Sequence, residues 1–149
     1  GSSYRLADLL AAFLYGQLEN YEKIQNKREK IWLKYFILLK IWAQKNSVRL
    51  PFIPSNCKSS YHMFYLIMPN KISRDKLIIW LEKNKINSVF HYIPLHKSRM
   101  SIKHGWDNFK CPITIEISER IIRLPMFYNL KIKEIEYITN KIIQFEKFD

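Results

Sequence analysis

The run LADLLAAFLYGQLENY at residues 6–21 limits what this chain can fold into more than any other stretch. Leu6, Leu9, Leu10, Phe13, Leu14, Leu18 and Tyr21 recur at helical spacing, and Asp8 falls in the first turn, where the helix dipole favours an acid. Ala7, Ala11, Ala12 and Tyr15 occupy most of the other side. A helix apolar nearly all round has to be covered on every face. A chain of 149 residues has limited means of doing so, and the run predicts a partner subunit or a further domain.

The pattern then turns amphipathic. Ile24, Ile31, Tyr35, Leu38 and Trp42 form a stripe, Lys23, Lys27, Arg28, Lys30 and Lys34 take the wetter side, and the helix ends by Asn46. VRLPFIPSN, with two prolines, reads as an extended connection. Residues 61–68, aromatic and branched and stopped by Pro69-Asn70, predict a strand. Ser73 is the expected cap of a helix that buries Leu77, Ile78, Trp80 and Leu81. Residues 87–92 predict a second strand, residues 94–112 a long loop, and residues 114–123 a short helix broken at Leu124-Pro125. A final helix carries Ile132, Ile135, Ile138, Ile142 and Phe145 on one stripe. The order predicts an α+β fold with a small sheet backed by helices.

Composition excludes several classes. Hydrophobic residues make up 48% of the chain, which marks it as globular. No apolar stretch approaches the length of a membrane span and no signal segment is present, so a soluble, cytoplasmic protein is expected. Cys57 and Cys111 lack the spacing of a zinc site or a disulfide framework and read as free thiols. The net charge of +12 suggests nucleic acid, but the lysines are scattered singly among Ile and Asn. That scatter favours a solvated basic surface, toward which small anionic substrates are drawn.

Candidate chemistry is confined to a few places. His62 lies in the first predicted strand, while His91 and His96 flank Tyr92-Ile93-Pro94-Leu95. Their spacing, with no acid nearby, does not suit a metal and predicts structural or substrate-contacting histidines. In FHYIPLH a strand ends, a proline fixes the turn, and hydrogen-bonding side chains gather at the strand's mouth, a plausible ligand site. Ser59 and Ser60 have no nucleophile elbow around them. Three glycines cannot build a phosphate loop, so any phosphate site must rely on Arg, hydroxyls or a helix start. Gly1-Ser2-Ser3-Tyr4-Arg5 offers all three, directly ahead of the first helix.

Six segments in order carry a resemblance. They are Gly1-Ser2-Ser3-Tyr4-Arg5-Leu6, Ala11-Ala12 with Gln17-Leu18-Glu19, Tyr61-His62-Met63-Phe64, the run from Val89 through FHYIPLH, Ser118-Glu119-Arg120, and RLPMFYNL at residues 123–130. Together they resemble the C-terminal part of the DegT/DnrJ/StrS-type sugar aminotransferases. Within that family the likeness is greatest to the subgroup that makes dTDP-4-amino-4,6-dideoxygalactose from a 4-keto sugar nucleotide for bacterial surface polysaccharides such as enterobacterial common antigen. In that subgroup GSSY is native, so Gly1-Ser2-Ser3 is expected to be authentic sequence and not a cloning scar.

The resemblance implies the small C-terminal domain of the aspartate-aminotransferase, type I pyridoxal phosphate fold, with a small antiparallel sheet preceded by long interdomain helices. Residues 1–46 would be a helical contact region for the large domain and the dimer mate, and residues 47–149 the small domain. It further implies a homodimer or higher oligomer, an amino-acid donor, a nucleotide-sugar substrate, and a Schiff-base lysine on an N-terminal domain that this chain lacks, leaving the chain inactive alone. By resemblance Arg5 and Ser3 reach the cofactor phosphate of the neighbouring subunit. Ser3 stands where most of the family has Asn, with a shorter reach. His91, Tyr92 and His96 match a motif near the nucleotide-sugar pocket. His62 matches a family position too, with inward packing on its strand as the alternative. The Arg123 segment reads as structural. The rival readings are a non-enzymatic basic module that binds nucleic acid and a degenerate fragment that serves oligomerisation.

Overall fold

A computed structural model describes residues 4–145. Two helices open it: α1, Asp8–Glu19, and α2, Tyr21–Lys45. Asn20 alone separates them, with its side-chain amide donating to the Gly16 carbonyl at 2.9 Å. No residue of α1 is buried. The end of α2 sinks into the core through Ile31, Trp32, Tyr35, Leu39, Trp42 and Ala43. Leu38, expected on that stripe, is half-buried beside Leu39, and Ile24 is half-buried as well.

The sheet departs from expectation in an instructive way. Strand β1 is only Phe64–Ile67, and its antiparallel partner is β2, Ile121–Leu124, with Phe64 opposite Leu124 and Ile67 opposite Ile121. Residues 121–123 were expected to finish a helix; that helix, Pro112–Arg120, stops where Ile121 turns extended. Two forces favour the strand. Ile122 and Leu124 alternate with Ile121 and Arg123, so a strand buries both apolar side chains on one face. Pro125 pushes Leu124 into extended backbone. The strand expected at residues 87–92 shrinks to a single bridge, Val89 to Arg123, and another bridge joins Arg49 to Ile67 on the far side.

This arrangement gives the sheet two unlike faces. Phe64, Leu66, Ile122 and Leu124 point into the core, while Tyr65, Ile67, Ile121 and Arg123 lie half-buried on the other side. On the core face the Phe64 ring stacks on Tyr35 at 5.1 Å, and Trp32 meets its edge at 5.4 Å. The Tyr35 hydroxyl donates to the Pro125 carbonyl at 2.9 Å. Burial, with Glu134 adding to it, raises the pKa of this phenol far above its ordinary value.

Helix α3, Lys71–Lys83, buries Arg74, Leu77 and Leu81. Its cap is Asn70 and not Ser73. The Asn70 side chain accepts from the Ser73 backbone N–H at 2.8 Å, and Ser73 completes a capping box from the third helical position. The stretch at 94–112, expected to be irregular, contains a 3-10 turn at Leu95–Lys97 and a short helix α4, Arg99–Lys103, before α5, Pro112–Arg120. The last helix, α6, Ile132–Ile143, buries Ile135, Ile138, Thr139 and Ile142, whereas Ile132 is exposed. It lies against α2, and the Trp80 indole donates to the Lys141 carbonyl at 2.8 Å to tie α3 to α6. The result is the expected α+β architecture: a two-stranded antiparallel sheet among helices.

Candidate functional site

The strand-end segment is placed by the sheet. The Val89 and Arg123 backbones exchange both hydrogen bonds, at 2.8 and 3.3 Å, which fixes residues 88–91 along the edge of β2. Side chains alternate in such a segment. Ser88 turns inward and is buried, and Phe90 meets the Arg74 guanidinium at 4.9 Å from its ring centroid. Arg74 is itself buried, with Nε 2.8 Å from Asp75 Oδ1. The segment is thus held from behind by a cation over an aromatic face.

Val89 and His91 stand on the same side as Arg123. His91 is half-buried, and Arg123 Nη1 donates to its Nδ1 at 3.1 Å. Its ring stacks nearly flat on Tyr92, with centroids 4.3 Å apart and planes at 7°, across a cis peptide. Tyr92 is exposed, leaving its hydroxyl open to solvent. His96 lies one turn further, inside the 3-10 turn, buried and with no hydrogen-bond partner for its Nε2 among the described residues. His91 and Tyr92 therefore act as one stacked unit, and His96 is packed beneath the turn.

The other expected site residues stand apart from that unit in the sequence and in their surroundings. Ser3 lies outside the described residues. Arg5 is exposed, in the extended segment that leads into α1, with no ion pair among the described residues. Ala7, at the cap of that helix, offers no side-chain acceptor, so the first backbone N–H groups of α1 remain open to an anion. The inward packing offered as an alternative for His62 is overturned. His62 precedes β1, is exposed, and shares a 2.6 Å hydrogen bond between its Nδ1 and the Ser60 hydroxyl. Two hollows of about 420 and 570 Å³ share Lys85, Ile86 and Asn87 in their linings and draw on none of these residues.

Arg123 is the residue that sequence reasoning took for scaffold. The available signal was a charge alternating with Ile122 and Leu124, which places it on the half-open face once the stretch is read as a strand. Among the described residues, no helix is long and apolar enough to cross a membrane, and no three His, Cys, Asp or Glu side chains gather as metal ligands do.

Known proteins resemble this chain in sequence and in fold. The "Pleiotropic regulatory protein" of Geobacillus stearothermophilus is 25% identical over 146 residues, which is 97% of this chain and 38% of that protein. The chain thus spans well under half the length of the curated relatives it matches. PseC of Helicobacter pylori, an aminotransferase involved in the biosynthesis of pseudoaminic acid, superposes with a TM-score of 0.81 at 21% identity, covering 96% of this chain and 38% of its own. Spr1654 of Streptococcus pneumoniae, solved in a PLP form and in a PMP form, superposes in the former at 0.75 and 21% identity, over 93% of this chain and 36% of its own. Both likenesses concern the fold. The pattern of the DegT/DnrJ/EryC1/StrS aminotransferase family runs through residues 1–143, and the chain belongs to that family.

Proposed function

We propose that this chain is the C-terminal part of a pyridoxal phosphate-dependent aminotransferase that aminates a keto-deoxy sugar nucleotide for a bacterial surface polysaccharide. The finer assignment is the dTDP-4-amino-4,6-dideoxygalactose subgroup, acting in the cytoplasm as a homodimer or higher oligomer. The observation that carries the reading is family membership across residues 1–143 together with an apolar α1 none of whose residues is buried. Residues 1–46 would then contact the large domain and the dimer mate, and residues 47–149 would form the small domain.

The chain's own residues fit one end of the cofactor. Arg5, exposed beside the uncapped start of α1, suits the phosphate, with the Ser3 hydroxyl two positions earlier in the sequence. When bound, pyridoxal phosphate supplies the electron sink for transfer of an amino group. The lysine that holds it is assigned to polypeptide beyond this chain. His91 and Tyr92 would present a flat, hydrogen-bonding surface to the nucleotide sugar, His96 would support the turn beneath them, and exposed His62 would be a further contact.

The test is complementation. This chain alone should not transaminate. Mixed or co-expressed with a lysine-bearing N-terminal part, it should convert a dTDP-linked 4-keto-6-deoxy sugar in the presence of an amino-acid donor. In that enzyme Arg5→Ala should weaken cofactor retention, and His91→Ala should raise KM for the nucleotide sugar. Failure of complementation together with DNA binding that weakens steeply with salt would instead favour the basic-module reading.

A further inference from the structure

We propose that Arg123 is a positioning residue that fixes the proton of neutral His91 on Nε2, so that His91 meets the nucleotide sugar as a hydrogen-bond donor. The substrate half of this statement rests on the sugar-pocket reading above; the proton half does not.

A guanidinium has donors and no acceptor, and it stays protonated in proteins. At 3.1 Å from Arg123 Nη1, His91 Nδ1 can only accept. A neutral imidazole that accepts at one nitrogen carries its hydrogen on the other. Nε2 is therefore an N–H, suited to the carbonyl, hydroxyl or phosphate oxygens of a nucleotide sugar and unsuited to taking a proton from one.

The backbone makes this contact dependable. Arg123 is locked into β2 opposite Tyr65 on one side and Val89 on the other, and His91 lies two residues beyond Val89 on the same face. Diagonal neighbours in such a ladder are within reach of a long side chain. Stacking on Tyr92 at 4.3 Å holds the ring plane, so both the orientation and the protonated nitrogen of His91 are set before any ligand arrives. The carbonyl of Tyr35's partner, Pro125, fastens the strand just beyond Arg123.

Nitrogen-15 spectra of the labelled chain read the imidazole tautomer directly, with His91→Gln identifying the signal. In the wild type, neutral His91 should carry its hydrogen on Nε2. Arg123→Lys, which keeps a donor, should preserve that state; Arg123→Glu, which offers an acceptor, should move the hydrogen to Nδ1. Arg123→Met, which offers neither, should let both tautomers appear and serves if the charge reversal does not fold. A wild-type hydrogen on Nδ1, or a tautomer indifferent to all three substitutions, overturns the proposal. In the complemented enzyme Arg123→Glu should raise KM for the nucleotide sugar by about tenfold or more while Arg123→Lys largely retains it, as expected for the loss of one hydrogen bond to the substrate. A tautomer that switches while KM stays put would uphold the role of Arg123 and sink the placement of His91 in the sugar pocket.

Discussion

Helices α1 and α6 are both 12 residues long and both rich in branched apolar side chains, yet they meet opposite fates. α6 buries four residues and α1 buries none, with Leu9 82% and Phe13 70% exposed. The difference lies in pattern more than in hydrophobicity. α6 gathers Ile135, Ile138 and Ile142 on one side and leaves Lys133, Glu134 and Asn140 exposed, so a single neighbouring surface satisfies it. α1 has apolar side chains around its circumference, and among the described residues no surface buries any of them. A one-sided helix tells where its own core lies, whereas an all-round apolar helix points to cover from elsewhere.

The comparison can be broken from either side. Ile142→Ala should cost about 2–5 kcal/mol of folding stability, because it opens a cavity where nothing is exposed; urea denaturation measures it, and a cost below half a unit would deny α6 its place in the core. Tyr35→Phe, at the seat of α2, should cost about 1 kcal/mol near neutral pH. It should also remove an alkaline weakness. The folded chain keeps a phenol proton that the unfolded chain releases above the ordinary value of 10.0, so stability is whole below that pH and falls as pH climbs past it. Wild-type stability that is flat above pH 10.0 would contradict that burial.

Trp80→Phe should cost a smaller amount, of order 1 kcal/mol or less, through the bond to Lys141 that joins α3 to α6. The smallest effect is expected in α1: Leu9→Ala or Phe13→Ala should change folding stability by less than about 0.5 kcal/mol. The same two substitutions should nonetheless reduce self-association, read by sedimentation. Large destabilisation with unaltered association would reverse the contrast between the helices.

Much of this was legible in the sequence where periodicity was unambiguous. The isolation of α1, the burial of Ile31, Tyr35 and Trp42, and the course of α3 and α6 all follow from spacing. The sheet was harder to read, because four residues such as Ile121-Ile122-Arg123-Leu124 suit a helix end as well as a strand, and only the pairing with Phe64–Ile67 decides between them. Asn70 and Ser73 both suit a cap, and geometry assigns them complementary parts. Tyr92 and Arg5 both lie exposed, while the contact of Arg123 with His91 spans 32 positions and leaves no local trace.

The passage from α5 into β2 takes place without a single intervening residue, at Arg120 and Ile121. Arg120 clasps Met68 twice there: its side-chain Nε donates to the Met68 carbonyl at 2.6 Å, and its own carbonyl accepts from the Met68 amide at 3.0 Å. Since facing alternates along a strand, sliding the chain by one position at this clasp would swing Arg123 inward and bring an isoleucine or leucine out in its place. A helix-end arginine three residues before Arg123 thus sets the phase on which the histidine's hydrogen-bonding partner depends.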